Sequence, residues 1–169
     1  RSVEKILYDN GQVVSENKDK VNESFVEKFS NITDEDEEAG YIYVLSSKSK
    51  DERIASIENL YKIGYSKVDV LERIKNAEKE PTYLMAKVKI ESAWKCYNMN
   101  PQKLEQLLHN FFGSSCLNID IFDENKIRHT PREWFIAPSE VIEQSIQLII
   151  SGEIVNYKYD IENRIIINR

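Results

Sequence analysis

Two short stretches decide how this chain is read: Gly40-Tyr41-Ile42-Tyr43-Val44-Leu45 and Leu60-Tyr61-Lys62-Ile63-Gly64. Both are rich in aromatic and β-branched residues, which suit a pleated, half-buried surface, so both read as strands. Side chains alternate along a strand. Tyr41 and Tyr43 therefore share one face of the first strand, and Lys62 and Gly64 share one face of the second. If the two pair antiparallel, Lys62 sits beside a tyrosine of its neighbour. A phenol titrates near ~10 and is a poor base at neutral pH. A nearby ammonium favours the phenolate and lowers that value, and such a tyrosine can take a proton from water. Half-buried strand tyrosines with wet hydroxyls would carry the same letters, so this pair alone leaves both readings open.

Downstream, Asp69 through Glu78 sets Val70, Ile74 and Ala77 at helical spacing, with Asp69 or Ser66 as N-cap, and Pro81 stops the helix. Residues 83–94 set Leu84, Ala86, Val88 and Ile90 against Lys87, Lys89 and Glu91, which predicts a third strand. Asn100-Pro101 opens a helix with Leu104, Leu107, Leu108 and Phe111 on its apolar face, closed by Gly113. Residues 117–136 read as loop and short strand, ending at Glu133-Trp134-Phe135-Ile136. Pro138 begins a last helix, with Val141, Ile142, Ile146 and Ile149 inward and Gly152 at its end. The tail, 153–168, reads as a hairpin turning near Asp160–Asn163.

Upstream, residues 2–15 read as a hairpin around Asp9-Asn10-Gly11. Residues 18–30 read as a short polar helix with Val21, Phe25, Val26 and Phe29 on one side, and the run 34–38 as a solvated acidic linker. We place a boundary near residue 39. Residues 1–39 are then an acidic appendage or the end of a preceding domain, and 40–169 the main domain. The expected fold class is α+β: a small, mainly antiparallel, three-stranded sheet flanked by helices, with the C-terminal hairpin attached.

The net charge of −6 at first argues against a nucleic-acid partner. Its distribution reverses that reading. Residues 1–39 hold 5 basic and 11 acidic side chains, whereas residues 40–169 hold 18 of each. Residues 62–103 hold nine basic and five acidic side chains, enough to hold a phosphate backbone locally. A hydrophobic fraction of 41% supports a real core, and no apolar run is long enough to span a membrane. The N-terminus lacks the apolar core of a signal peptide, so the expected compartment is the cytoplasm, with Cys96 and Cys116 reduced. The chain begins at Arg1 and not at Met, which we read as a fragment or a processed form. Neither cysteine lies in a Cys-x-x-Cys or a close Cys/His pair, which argues against zinc on His109, His129, Cys96 and Cys116.

Taken together, Gly40-Tyr41-Ile42-Tyr43, Tyr61-Lys62-Ile63-Gly64, a following helix with Arg73, Leu104 to His109 on a later helix, and Arg132-Glu133-Trp134-Phe135 resemble the GIY-YIG nuclease superfamily. The branch is the one whose second motif reads Lys-Ile-Gly, and the resemblance runs from residue 40 to about 150. It implies the fold of that superfamily and the hydrolysis of DNA phosphodiester bonds in restriction, repair or mobile-element processes. It also implies catalytic roles. Tyr43 would be the general base, Lys62 would depress its pKa, Arg73 would hold the scissile phosphate, and His109 would hydrogen-bond the nucleophile or phosphate. Glu133 would bind one metal ion, Mg²⁺ or Mn²⁺, with Tyr41, Tyr61, Tyr65 and Glu105 in support. The pattern departs from the family at Tyr41, which stands where glycine is expected, and at Lys62, which replaces tyrosine.

Each residue has a structural alternative. Arg73 can pair with Asp69, His109 can bond Glu105 along its own helix, and Glu133 can pair with Arg132. The expected partner is DNA, with a homodimer or a further DNA-targeting domain supplying base readout. The alternative is a non-catalytic module that binds nucleic acid or protein on the same fold.

Overall fold

The structure, a computed structural model, describes residues 4–9, 12–15 and 39–169. The helix expected over 18–30, the acidic run 34–38 and the turn at Asn10-Gly11 lie outside the described residues. The fold is α+β, built on one six-stranded sheet. Its strands are β1 (Glu4–Asp9), β2 (Gln12–Ser15), β3 (Ala39–Ser47), β4 (Leu60–Ser66), β5 (Val88–Tyr97) and β8 (Trp134–Ile136). Two small ladders complete the strands: β6 (Ile121–Phe122) with β7 (Arg128–His129), and β9 (Tyr157–Asp160) with β10 (Ile165–Asn168). The helices are α1 (Glu52–Ala55), α2 (Val70–Ile74), α3 (Pro101–Phe112) and α4 (Ser139–Ser151).

All pairings in the large sheet are antiparallel. The three strands expected from the sequence stand at its centre as β5-β3-β4. The sheet is larger than that expectation because β1 pairs with β5 on one side and β8 pairs with β4 on the other.

Alternation along β3 separates two faces. Ile42 and Val44, with Ile63 and Trp94 opposite them, point into an apolar core closed by Leu104, Leu108, Phe111 and Phe112 of α3 and by Val141, Ile142 and Ile146 of α4. Asn100 caps α3 by accepting from Gln102 N and Lys103 N, at 3.0 and 3.1 Å, with Pro101 at the first helical position. The C-terminal hairpin joins this core through Tyr159, whose ring lies 5.9 Å from Phe112.

Tyr43 and Leu45 point the other way, into a smaller cluster with Val70, Ala77, Tyr83 and Ala93. A third cluster, with Ile54, Leu60, Leu84, Leu117, Ile121 and Trp134, continues along the β8 side.

Two expectations are corrected here. The helix expected over 69–78 stops at Ile74 and resumes as short 3-10 turns at Ala77–Lys79 and Pro81–Tyr83. The strand expected from residue 83 begins only at Val88, because Leu84 and Met85 take positive φ angles of 61° and 53° and turn the chain. Their apolar character serves burial of a turn, not alternation along a strand.

Candidate active site

The register of β3 and β4 sets the geometry. Tyr43 pairs with Gly64, and Leu45 pairs with Lys62, so Tyr43 and Lys62 share a face as diagonal neighbours. Gly64 is needed for a physical reason. A Cβ there would meet the Tyr43 ring at 2.4 Å. Gly40 does the same service on the opposite face, where a Cβ would lie 2.0 Å from the Tyr65 hydroxyl oxygen. Each glycine seats a tyrosine of the facing strand.

Above Gly64 the Tyr43 hydroxyl shares a hydrogen bond with the Tyr83 hydroxyl at 3.0 Å. Tyr83 comes from the Pro81–Tyr83 turn and is fully buried. Its ring faces two cations, with the Lys62 ammonium 5.4 Å and the Arg73 guanidinium 5.1 Å from its centroid. Lys62 is 1% exposed and donates to Thr82 Oγ1 at 3.1 Å and to Glu133 Oε2. Glu133 precedes β8, and its carbonyl accepts from Ile63 N at 3.1 Å, which fixes the backbone that aims the carboxylate. Arg73 Nη1 donates to both oxygens of Glu80, at 3.0 and 3.2 Å. Two phenols, two cations and two carboxylates thus converge on one side of the sheet.

Burial dominates the titration of the two phenols and the lysine. It raises the Tyr43 phenol far above its ordinary value of 10.0; Tyr83 and Glu133 push the same way, and Arg73 opposes them. Burial also raises Tyr83. Lys62 is lowered from 10.5 by burial, against the pull of Glu133. The expected depression of the Tyr43 pKa by Lys62 is therefore corrected. Lys62 gives its charge to Glu133, the cation favouring the phenolate is Arg73, and desolvation outweighs it.

A family model for the T5orf172 domain matches residues 40–150. The chain belongs to the T5orf172 domain family. It is similar to the uncharacterized protein YeeC of Bacillus subtilis (strain 168), 37% identical over 150 residues, which are 89% of this chain and 37% of that protein. The chain thus spans little more than a third of that relative's length. No solved structure matches it.

The match corrects the resemblance to the GIY-YIG superfamily, since the family found over those residues is the distinct T5orf172 domain. Packing explains why the letters misled. Gly40 and Gly64 each make room for a tyrosine ring of the facing strand, so packing accounts for both glycines without any superfamily's chemistry.

Within this T5orf172 domain, Tyr43, Lys62, Arg73 and Glu133 come together, and His109 stands apart. His109 Nε2 is buried without a hydrogen bond among the described residues, 3.8 Å from Glu105 Oε1, and its ring meets Phe135 edge-on at 5.6 Å. Tyr41 shares the Tyr43 side, while Tyr61 and Tyr65 pack against the helix-covered core. Tyr65 and Glu105 do line a small cavity of about 60 Å³ with Gly64 and Glu133. Both ion-pair alternatives take new partners: Arg73 pairs with Glu80 and not Asp69, and Glu133 with Lys62 and not Arg132. Asp69 instead caps α2, accepting from Leu71 N at 3.1 Å.

Sequence reasoning missed Glu80, Thr82 and Tyr83. The available signal was Pro81, which opens the turn that delivers all three to the Lys62 side. Cys96 and Cys116 are free thiols, and burial pushes Cys96 up to about 11. No helix among the described residues is long and apolar enough to cross a membrane.

Proposed function

We propose that this domain is a metal-dependent endonuclease that hydrolyses DNA phosphodiester bonds at the Tyr43–Tyr83–Lys62–Arg73–Glu133 cluster. The observation that carries the reading is the Tyr83 ring, which gathers Tyr43, Lys62 and Arg73 into one group beside an accessible carboxylate. Water attacks phosphorus and releases a proton to solvent, the bond to the leaving sugar oxygen breaks, and that oxygen takes a proton from solvent. Charge builds on the phosphoryl oxygens during the attack. Arg73, 34% exposed, exchanges Glu80 for a phosphate oxygen and stabilises that charge. Tyr43 stays protonated at neutral pH, so it orients water or phosphate as a hydrogen-bond donor and does not act as the base.

Among the described residues no group of three His, Cys, Asp or Glu side chains is placed to hold a metal. Glu133 is nonetheless 38% exposed, and only its Oε2 accepts a hydrogen bond among those residues, which suits an ion that keeps most of its water. Mg²⁺ or Mn²⁺ bound there would polarise the phosphate, and Glu133, fixed by Lys62, would hold it.

One observation favours a second reading, a non-catalytic nucleic-acid or protein binding module: both cations of the cluster are already paired with carboxylates. Supercoiled plasmid incubated with the protein and Mg²⁺ separates the two. Nicking that EDTA blocks, and that Arg73→Ala and Glu133→Ala abolish, supports the enzyme. Binding without cleavage under Mg²⁺ or Mn²⁺ supports the module.

A further inference from the structure

We infer that the surface groove beside Arg73 is a track for the sugar-phosphate backbone of DNA, an inference that rests on the nuclease reading. The groove encloses about 550 Å³ and is lined by Arg73, Lys75, Asn76 and Lys79, with Glu72 and Glu80 among them. It shares Arg73 with the cluster, since the Arg73 guanidinium also faces the Tyr83 ring. The groove lies within residues 62–103, where basic side chains outnumber acidic ones by nine to five, while the rest of residues 40–169 holds nine basic and 13 acidic side chains.

Two of the three cations are held by carboxylates of the same groove: Arg73 by Glu80 at 3.0 Å and Lys75 by Glu72 at 2.5 Å. Lys79 makes no ion pair among the described residues. The Lys75–Glu72 pair is 57% and 59% exposed, and exposed pairs are worth little. A phosphodiester can therefore replace Glu72 on Lys75 at small cost. The carboxylates act as built-in counterions that a polyanion displaces. Contacts of this kind position a backbone and carry no base information. The groove thus feeds any sequence toward Arg73, and target choice lies elsewhere.

The test is fluorescence anisotropy of a labelled DNA duplex over a range of KCl concentrations, in EDTA so that no strand is cut. Each phosphate contact contributes about 0.9 to the slope of log affinity against log salt. Lys75→Ala with Lys79→Ala should lower that slope by about 2 and weaken binding uniformly across duplex sequences. Both lysines are exposed, so an unchanged melting temperature is expected to show that the fold is intact. Glu72→Gln should tighten binding severalfold by freeing Lys75. An unchanged slope in the double variant, with plasmid nicking intact, overturns the track and leaves the nuclease reading standing. A wild-type protein that neither binds the duplex nor nicks plasmid overturns both.

Discussion

The two faces of the central sheet solve opposite problems with the same strands. On one face, Ile42, Val44, Ile63 and Trp94 meet α3 and α4 in a core built from apolar side chains. On the other, alternate residues of those strands bury Tyr43 and Lys62 beside Tyr83. The first face gains stability from area removed from water. The second buries a cation and two hydroxyls, which costs free energy unless each finds a partner. Each does: hydroxyl on hydroxyl, ammonium on carboxylate and threonine. Stability belongs to the helix-covered face, which allows the other face to carry a buried polar cluster.

That division is open to attack from both sides. The largest effect is expected on the helix-covered face. Phe135 is 1% exposed and stacks on Phe112 at 4.7 Å. Phe135→Ala should cost about 3–5 kcal/mol in denaturant unfolding. A loss below about 1 kcal/mol would mean that this face is not the main source of stability.

A smaller effect is expected at Gly64, where the polar face touches the backbone. Gly64→Ala places a methyl 2.4 Å from the Tyr43 ring, which Tyr83 holds in place. We expect a destabilisation of about 1–3 kcal/mol and a fall in nicking activity larger than the fall in stability explains. Full activity in a stable Gly64→Ala protein would detach Tyr43 from the chemistry.

The smallest stability effect is expected at Lys62. Its folded pKa lies below its ordinary 10.5, so in that window the unfolded chain binds more protons and wild-type stability rises with pH. Lys62→Met removes the burial cost of the charge and leaves Glu133 38% exposed. The variant should be at least as stable as wild type at neutral pH. The gap should narrow as pH approaches 10.5, while nicking is lost at every pH. A strong loss of stability would show that the Lys62–Glu133 pair holds the fold.

Much of the frame was legible in the sequence because it is periodic. The apolar stripe of α3, its Asn100-Pro101 start and its Gly113 end follow from spacing and capping, as does the C-terminal hairpin. The strands β3 and β4 follow from their aromatic and β-branched content. The site was legible only in part. Alternation put Tyr41 with Tyr43 on one strand and Lys62 with Gly64 on the next. Register, which a single sequence does not print, set Tyr43 over Gly64 and turned Lys62 toward Glu133. Tyr83 was missed because its partners lie 40 residues away at Tyr43 and ten at Arg73, contacts that exist only once β3 and the Pro81 turn have docked. The motif letters themselves pointed to the wrong superfamily, since strand packing alone accounts for the glycines.

The central claim is that one phosphate-cleaving centre sits on the polar face, and a single comparison tests it most directly. Wild type, Arg73→Ala and Glu133→Ala, all shown folded by thermal melting, are incubated with supercoiled plasmid and Mg²⁺. The account predicts nicked plasmid from wild type, none in EDTA and none from either variant. Nicking that persists undiminished in both variants would contradict it.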